Sequence, residues 1–310
     1  MRITNGMMSA NYLKGLNSNL TRLEKYQNQL TSNKRITRLS DDPVAIIGSL
    51  SVRTRLKNLE QYQTNIDDAQ AWLTQSETAV MDLNEVVKSA YELAIQAGSG
   101  TQSPTDKAAI ATAIGQLREH ALQVGNTTLG DKYIFGGFCT TTAPFGSADG
   151  SVLYQGTDLL TADSTQIAAF QAQTIEYQIG DGLTATVSLT GDKLLGTGKD
   201  NLIGILDNLR QTLLNDGAVS QITAYAAQLQ HKQDDILALA ADIGGRTNRL
   251  DLVTARYGQD TTNYEALKSA IEDVDTAETI MRMKMAETVY NAALELGSRI
   301  IVPTLTDFLN

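Results

Sequence analysis

Two regions of this chain carry an apolar residue at every seventh position, and the stretch between them does not. The two series are Val52, Leu59, Ile66, Leu73, Val80, Val87, Ala94 and Ile222, Leu229, Ile236, Ile243, Leu250, Tyr257, Tyr264, Ile271. Seven-residue spacing keeps one stripe of a helix facing a partner over many turns. Because one helix cannot bury that stripe alone, the two regions must pack on each other or on other molecules. The pattern favours a structural building block over a catalyst.

The first long helix has a clear start signal at Asp42-Pro43. Proline suits the first helical position and keeps the preceding residue out of helical geometry, so Asp42 is placed to cap the free amides. The helix is expected to end near Ala97, before Gly98-Ser99-Gly100. In the second long helix the seven-residue register continues across Gly244-Gly245. We therefore predict a continuous helix there, although each glycine costs ~1 kcal/mol relative to alanine.

Residues 131–199 have a different composition and pattern, in which Gly, Thr and Asp separate short apolar runs. Polar and apolar residues alternate in Thr174–Ile179 and again in Leu183–Leu189, around the turn Gly180-Asp181-Gly182. Alternation at period two with a glycine-rich turn is typical of a β-hairpin. The predicted fold is mainly α with an inserted β-rich domain. It is an elongated bundle of long antiparallel heptad helices in which the N- and C-terminal helices pair.

Both ends of the chain carry apolar stripes that we interpret as subunit-interface and assembly positions. Their members are Leu13, Leu16, Leu20, Leu23, Leu30, Met281, Met285, Val289, Leu296, Ile300, Leu305, Phe308 and Leu309. Each N-terminal leucine contributes ~1.5–3 kcal/mol when fully buried. Ordering the surrounding backbone costs ~1–2 kcal/mol per residue, over about 30 residues. The ends of a lone monomer should therefore stay largely disordered, with their folding coupled to assembly.

Charge and composition exclude several classes of function. A net charge of −10 argues against binding to a nucleic-acid backbone as the main role. Residues 1–60 are nevertheless basic, either as a solvated face or as an end that meets an acidic part of a neighbouring subunit. No apolar run is long enough to span a bilayer, and the N-terminus does not resemble a cleaved secretory signal. These features alone predict a cytoplasmic protein without membrane insertion.

The residue types that usually perform catalysis do not occur at the spacings that catalytic or metal-binding motifs require. His120 and His231 lack a second histidine or a cysteine at ligand spacing, so we expect no metal. Adjacent carboxylates such as Asp67-Asp68 point about 100° apart on a helix. We therefore expect them to lie on solvated faces and not to bind one substrate together. We predict neither enzymatic activity nor a cofactor. An enzyme or adhesin built on the β-rich insert would need a convergent polar cluster that the sequence does not display.

The chain resembles the bacterial flagellin superfamily in several segments. Thr31–Ala45 (TSNKRITRLSDDPVA) is similar to its N-terminal signature. Ser269–Ala277 (SAIEDVDTA) and Gly245–Leu250 (GRTNRL) are similar to its C-terminal region, and Val302–Leu309 to its tail. The Ser-Asp-Asp-Pro form and Tyr133–Gly137 (YIFGG) resemble the hook-associated branch found at the hook–filament junction. The detailed likeness covers residues 1–140 and 240–310.

This resemblance implies a layered structural subunit. Residues 1–40 and 286–310 would form an inner coiled-coil layer, residues 41–130 and 200–285 a long-helix bundle, and residues 131–199 an outer domain. The implied function is a junction adaptor between hook-side proteins and the flagellin filament, with the filament-forming flagellin subunit as the alternative.

The resemblance also implies partners and a location. The implied partners are further copies in a helical or ring array, a larger hook-associated protein, flagellin and an export chaperone. It further implies export through the flagellar secretion channel without a cleaved signal, and so an extracellular location in place of the cytoplasmic one.

Overall fold

The computed structural model of the chain describes residues 5–38, 40–100, 102–148 and 151–300. Its helices are α1 (Asn5–Ser32), α2 (Pro43–Ala97), α3 (Pro104–Gly125), α4 (Ser164–Gln171), α5 (Gly191–Leu195), α6 (Leu202–Leu214), α7 (Val219–Glu272) and α8 (Thr276–Ile300). The predicted bounds of the first long helix agree with α2. The second long helix runs through Gly244 and Gly245 without a break, as the continuous register predicted.

In the described part of the chain, the strands form three small antiparallel sheets. They are β1 (Thr128–Leu129) with β2 (Lys132–Tyr133), then β3 (Phe145–Ala148), β4 (Ser151–Tyr154) and β5 (Thr157–Asp158), and finally β6 (Glu176–Gly180) with β7 (Leu183–Thr186). The last pair is the predicted hairpin, and Gly182 in its turn has a φ of 71°. Sequence reasoning did not predict α4 within this region, where Asp163 and Gln166 form a capping box.

The chain divides into two compact units. One contains residues 1–58 and 259–310, and the other contains residues 59–258. In the second unit, the heptad positions from Leu59 to Ala94 and from Ile222 to Tyr257 are all buried, which confirms the predicted stripes over these positions. The last two members of the second series, Tyr264 and Ile271, are only half-buried. α2 and α7 run antiparallel there, since Gln70 donates a hydrogen bond to Asp251 and Gly98 lies against Ile222.

An aromatic cluster forms the centre of the inserted region. The ring of Tyr154 lies 5.1 Å from that of Phe145 and 4.9 Å from that of Phe170. Its hydroxyl donates to the carbonyl of Phe135 and accepts from the amide of Gly191, so the buried polar atom is satisfied. Burial raises the pKa of Tyr154 to about 12. The tyrosine therefore stays neutral and can serve as a core residue.

Candidate assembly interface

The first unit contains a buried carboxylate with several partners, that of Glu272, at the last residue of α7. Arg53 binds it with two nitrogens, at 2.5 and 2.6 Å, and Lys34 binds it at 2.7 Å. Ser49 donates a further hydrogen bond. The Glu272 side chain is only 4% exposed. A buried carboxylate needs such partners, because an unpaired charge in the interior is strongly destabilising.

Arg53 is the main reason that the pKa of Glu272 lies well below its usual range. Burial opposes this effect, and Lys34 and Ser49 add to it. The charged form of Glu272 is thus held by residues from two other parts of the chain. Its role follows from this geometry, because the side chain ties the segment after α1 and the first turns of α2 to the end of α7.

Two interruptions of the helices meet at this point. We call residues 33–38 and 40–42, between α1 and α2, the first crossing, and residues 273–275, between α7 and α8, the second crossing. The amide of Arg35 donates to the carbonyl of Glu272 at 2.7 Å, and the amide of Val274 donates to the carbonyl of Asn33 at 3.2 Å. These bonds make a short antiparallel bridge. The two crossings are therefore joined by backbone as well as side chains.

Aspartates organise both crossings locally. Asp41 accepts hydrogen bonds from the amides of Thr37 and Arg38, and the Arg38 bond is the largest cause of its lowered pKa. The carboxylate of Asp42 accepts from the amide of Ala45 at 3.0 Å, at the start of α2, where Pro43 is the first helical residue. A charged oxygen at this position also interacts favourably with the helix dipole.

α1 and α8 pack against each other along their lengths. The hydroxyl of Tyr12 donates to the carbonyl of Ala293 at 2.8 Å, and the Tyr12 ring lies against Gly297. Among the predicted interface residues, Leu16, Leu23 and Leu30 are half-buried. Only part of the N-terminal stripe is therefore covered by contacts within the chain.

The other predicted interface residues whose side chains the structure describes are exposed. This exposed apolar stripe comprises Leu13, Leu20, Met281, Met285, Val289 and Leu296. Met285 is 62% exposed and rims a groove of about 170 Å³ that Tyr26 and Val289 also line. The side chain of Ile300 and residues Leu305, Phe308 and Leu309 lie outside the described residues. Contiguous exposed apolar side chains are typical of a surface that binds another protein.

Sequence reasoning missed Glu272, Arg53, Tyr12 and Gly297. Glu272 lies directly after the heptad residue Ile271, inside the C-terminal signature, and its position beside a buried stripe could have marked it as a paired charge. The roles of the other three could not be inferred from the sequence, because their partners are more than 200 residues away in the chain. None of the helices in the described ranges contains an apolar stretch sufficient to span a bilayer.

Comparisons with known proteins place these features in context. Residues 3–140 match the bacterial flagellin N-terminal helical region, and residues 226–301 match the bacterial flagellin C-terminal helical region. Together the two matches cover more than half of the chain. Both sides of the Glu272 site, the first crossing and the end of α7, fall within the matched ranges.

The chain is also similar to individual proteins along most of its length. Flagellar hook-associated protein 3 of Escherichia coli K12 is 26% identical, over 94% of this chain and 95% of that protein. Flagellin of Bacillus subtilis 168 is 26% identical, over 96% and 94%. The solved flagellar junction protein FlgL of Legionella pneumophila has a TM-score of 0.56 at 16% identity, over 74% of this chain and all of that one. This structural likeness concerns the fold.

Proposed function

Because the chain belongs to the flagellin family, we propose that it is a structural subunit of the bacterial flagellum that joins hook-side proteins to the flagellin filament. The observation that carries this proposal is the exposed apolar stripe on α1 and α8. Those helices pair within the chain, yet they leave large apolar side chains such as Met281 and Met285 facing solvent. Side chains of this kind gain free energy when a neighbouring subunit covers them.

The junction role has support beyond the family. E. coli hook-associated protein 3 aligns with nearly the whole chain, and the fold is similar to that of a flagellar junction protein. A subunit of this kind would assemble with copies of itself in a ring or helical array. It would contact a larger hook-associated protein on one side and flagellin on the other, and an export chaperone would hold its C-terminal segment before release.

We place the assembled protein outside the cell, after export through the flagellar channel without a cleaved signal. This export route is compatible with terminal helices that complete their packing only in the polymer. An unassembled chain then has less folded structure that must unfold before it passes through the channel. The role is mechanical and needs no cofactor. In this role the Glu272 site holds the two signature segments together.

A deletion strain tests the proposal directly. Cells that lack this chain should retain hooks but shed flagellin into the medium, and the full chain supplied in trans should restore filaments. Electron microscopy of the cells and immunoblots of the medium provide the two readouts. Filaments that remain attached without the chain would overturn the junction role.

A filament-forming flagellin is the second candidate, because Bacillus flagellin also aligns with nearly the whole chain. The two functions differ in how far the protein polymerises. A flagellin extends into long filaments at high concentration, whereas a junction subunit forms at most short assemblies. Negative-stain microscopy of the concentrated protein separates them.

A further inference from the structure

We propose that residues 175–196 of the inserted region hold α7 straight across the glycine pair Gly244-Gly245. We call this segment the splint. While the splint is bound, α7 is continuous through the pair, as in this structure. When the splint is released, α7 bends at the pair. The inference concerns one helix and the segment beside it, so it goes beyond the assembly role proposed above and does not rest on it.

The glycine pair is a weak point of α7. Sharp bends in helices concentrate at proline and at glycine pairs, and glycine lowers helix stability relative to alanine. Packing does not require glycine at either position, because among the described residues a Cβ there would meet nothing within 4 Å beyond the adjacent helix backbone. The heptad residues on either side, Ile243 and Leu250, are buried. An element that keeps α7 straight at the pair therefore protects this packing.

Before the pair, the splint contacts α7 at Lys232. Gly196, at the end of the splint, lies so close to the Nζ atom of this lysine that a Cβ there would be 2.5 Å from it. Lys232 is only 5% exposed, and its charge is met by Asp235 at 3.4 Å. Lysine is almost never buried to this extent without a structural reason. Here the buried side chain lies between the splint and the first half of α7.

After the pair, the splint contacts α7 twice more. Arg246 donates to the carbonyl of Thr186 at 3.2 Å, and Tyr257 donates to the carbonyl of Ile179. The contact positions on the splint fall from 196 to 179 as those on α7 rise from 232 to 257, so the two run antiparallel over ~38 Å of helix. The pair lies between the first two contacts. The splint is therefore attached on both sides of the glycines.

The splint is itself a packed body. Its strands β6 and β7 pair with each other, and the amide of Val187 donates to the carbonyl of Ile175 at the base of the hairpin. The amide of Ile175 donates in turn to the hydroxyl of Ser188. At the other end of the splint, Leu194 and Leu195 are fully buried. A segment held in this way can resist bending of the helix beside it.

Arg246 is the positioning residue of this arrangement. It follows the pair directly, and its guanidinium binds the carboxylate of Asp242, one turn earlier, at 2.6 Å. This ion pair spans both glycines, but such a pair within one helix is weak by itself. The bond from Arg246 to Thr186 adds a fixed point outside the helix. Loss of the Arg246 and Tyr257 bonds together should release the splint from the second half of α7.

Hydrogen exchange on the full chain tests the proposal. The amides of residues 245–249 donate across the pair, because each helical amide bonds to the carbonyl four residues earlier. We expect their exchange to become about ten-fold faster in the double variant R246Q/Y257F, while the amides of residues 226–236 keep their rates. Addition of G244A and G245A should return residues 245–249 to the parent rates or below, since alanine removes the weak point.

Two further variants are controls, and circular dichroism checks the helix content of each protein. G258A adds a methyl group elsewhere on α7, where a Cβ also meets nothing within 4 Å among the described residues, and should not restore protection. E85Q removes an exposed ion pair of α2 and should leave α7 unchanged.

Three results would overturn the proposal. They are faster exchange confined to β6 and β7, faster exchange spread evenly along α7, and a loss of protection at residues 245–249 that G244A and G245A do not reverse. All of these measurements concern residues 59–258 of the free chain. The deletion strain reports on the junction role independently, so the splint and the junction role can fail separately.

Discussion

The ring of Tyr12 occupies the space into which a side chain at Gly297 would project. The same tyrosine donates its hydroxyl hydrogen to α8 one turn earlier, at the carbonyl of Ala293. Glycine at this position thus lets an aromatic side chain of α1 lie directly on the backbone of α8. The close approach sets the distance between the two terminal helices.

Alanine at Gly297 should loosen this contact. The new methyl group would overlap the Tyr12 ring, and overpacking of this kind costs ~1–3 kcal/mol, which exceeds the gain of up to ~1 kcal/mol in helix propensity. In assembled flagella, where we expect the terminal helices to be fully packed, G297A should accelerate hydrogen exchange in α8. The matched control is G245A, whose methyl group meets nothing within 4 Å and should slow exchange in α7. Equal protection of α8 in G297A and the parent would contradict this account.

The stability of the Glu272 site should depend on pH only in acid. The folded-state pKa of Glu272 lies below the unfolded value of 4.5, so its contribution is complete above pH 4.5 and disappears as the pH falls further. Amides of residues 33–35 and 272–274 should therefore lose protection below pH 4.5. E272Q should lower their protection at neutral pH, by ~1–3 kcal/mol, and should flatten the acid dependence. Identical pH profiles for both proteins would rule out this role.

Tyr257 should hold the β6–β7 hairpin on α7. Its hydroxyl donates to the buried carbonyl of Ile179 at 2.5 Å, and phenylalanine would leave that carbonyl unpaired. An unsatisfied buried acceptor costs ~1–3 kcal/mol. Exchange in β6 and β7 should thus accelerate by about ten-fold in Y257F, since 1.4 kcal/mol corresponds to that factor. Y264F, at a half-exposed position of the same helix, is the control and should leave the hairpin unchanged.

Polar substitutions in the exposed apolar stripe should block assembly and spare the fold. M285Q with V289T keeps the size of both side chains, and exposed substitutions usually change stability by less than ~0.5 kcal/mol. We expect the double variant to be exported but lost from isolated flagella. L237Q serves as the control, because Leu237 is also exposed, at 44%, but lies on α7 outside the stripe. Normal retention of the double variant would show that the stripe is not the contact surface.

Limited proteolysis should distinguish the free chain from the assembled one. In dilute solution we expect rapid cleavage before about residue 40 and after about residue 285, since packing within one chain leaves much of both ends uncovered. Incorporation into flagella should protect the same sites. Termini of the free chain as resistant as residues 59–258 would argue against folding coupled to assembly.

Much of the architecture follows from periodicity alone. Seven-residue spacing depends only on helix geometry. It therefore predicted the buried heptad positions from Leu59 to Ala94 and from Ile222 to Tyr257 without knowledge of any tertiary contact. The helix start at Asp42-Pro43 and the hairpin turn at Gly182 were also predictable from the sequence, because caps and turns involve only neighbouring residues. The short helix α4 escaped this reasoning, since eight residues are too few to establish a period.

The sequence by itself determined the long helices, the inserted hairpin and the apolar character of both ends. Only the tertiary structure decided that Glu272 joins Lys34, Ser49 and Arg53, and that Gly297 accommodates Tyr12. It also decided which terminal side chains face α1 or α8 and which remain exposed. The physical reason is that periodic patterns report on local geometry, whereas each of these contacts joins residues more than 200 positions apart, whose approach depends on how the whole chain packs.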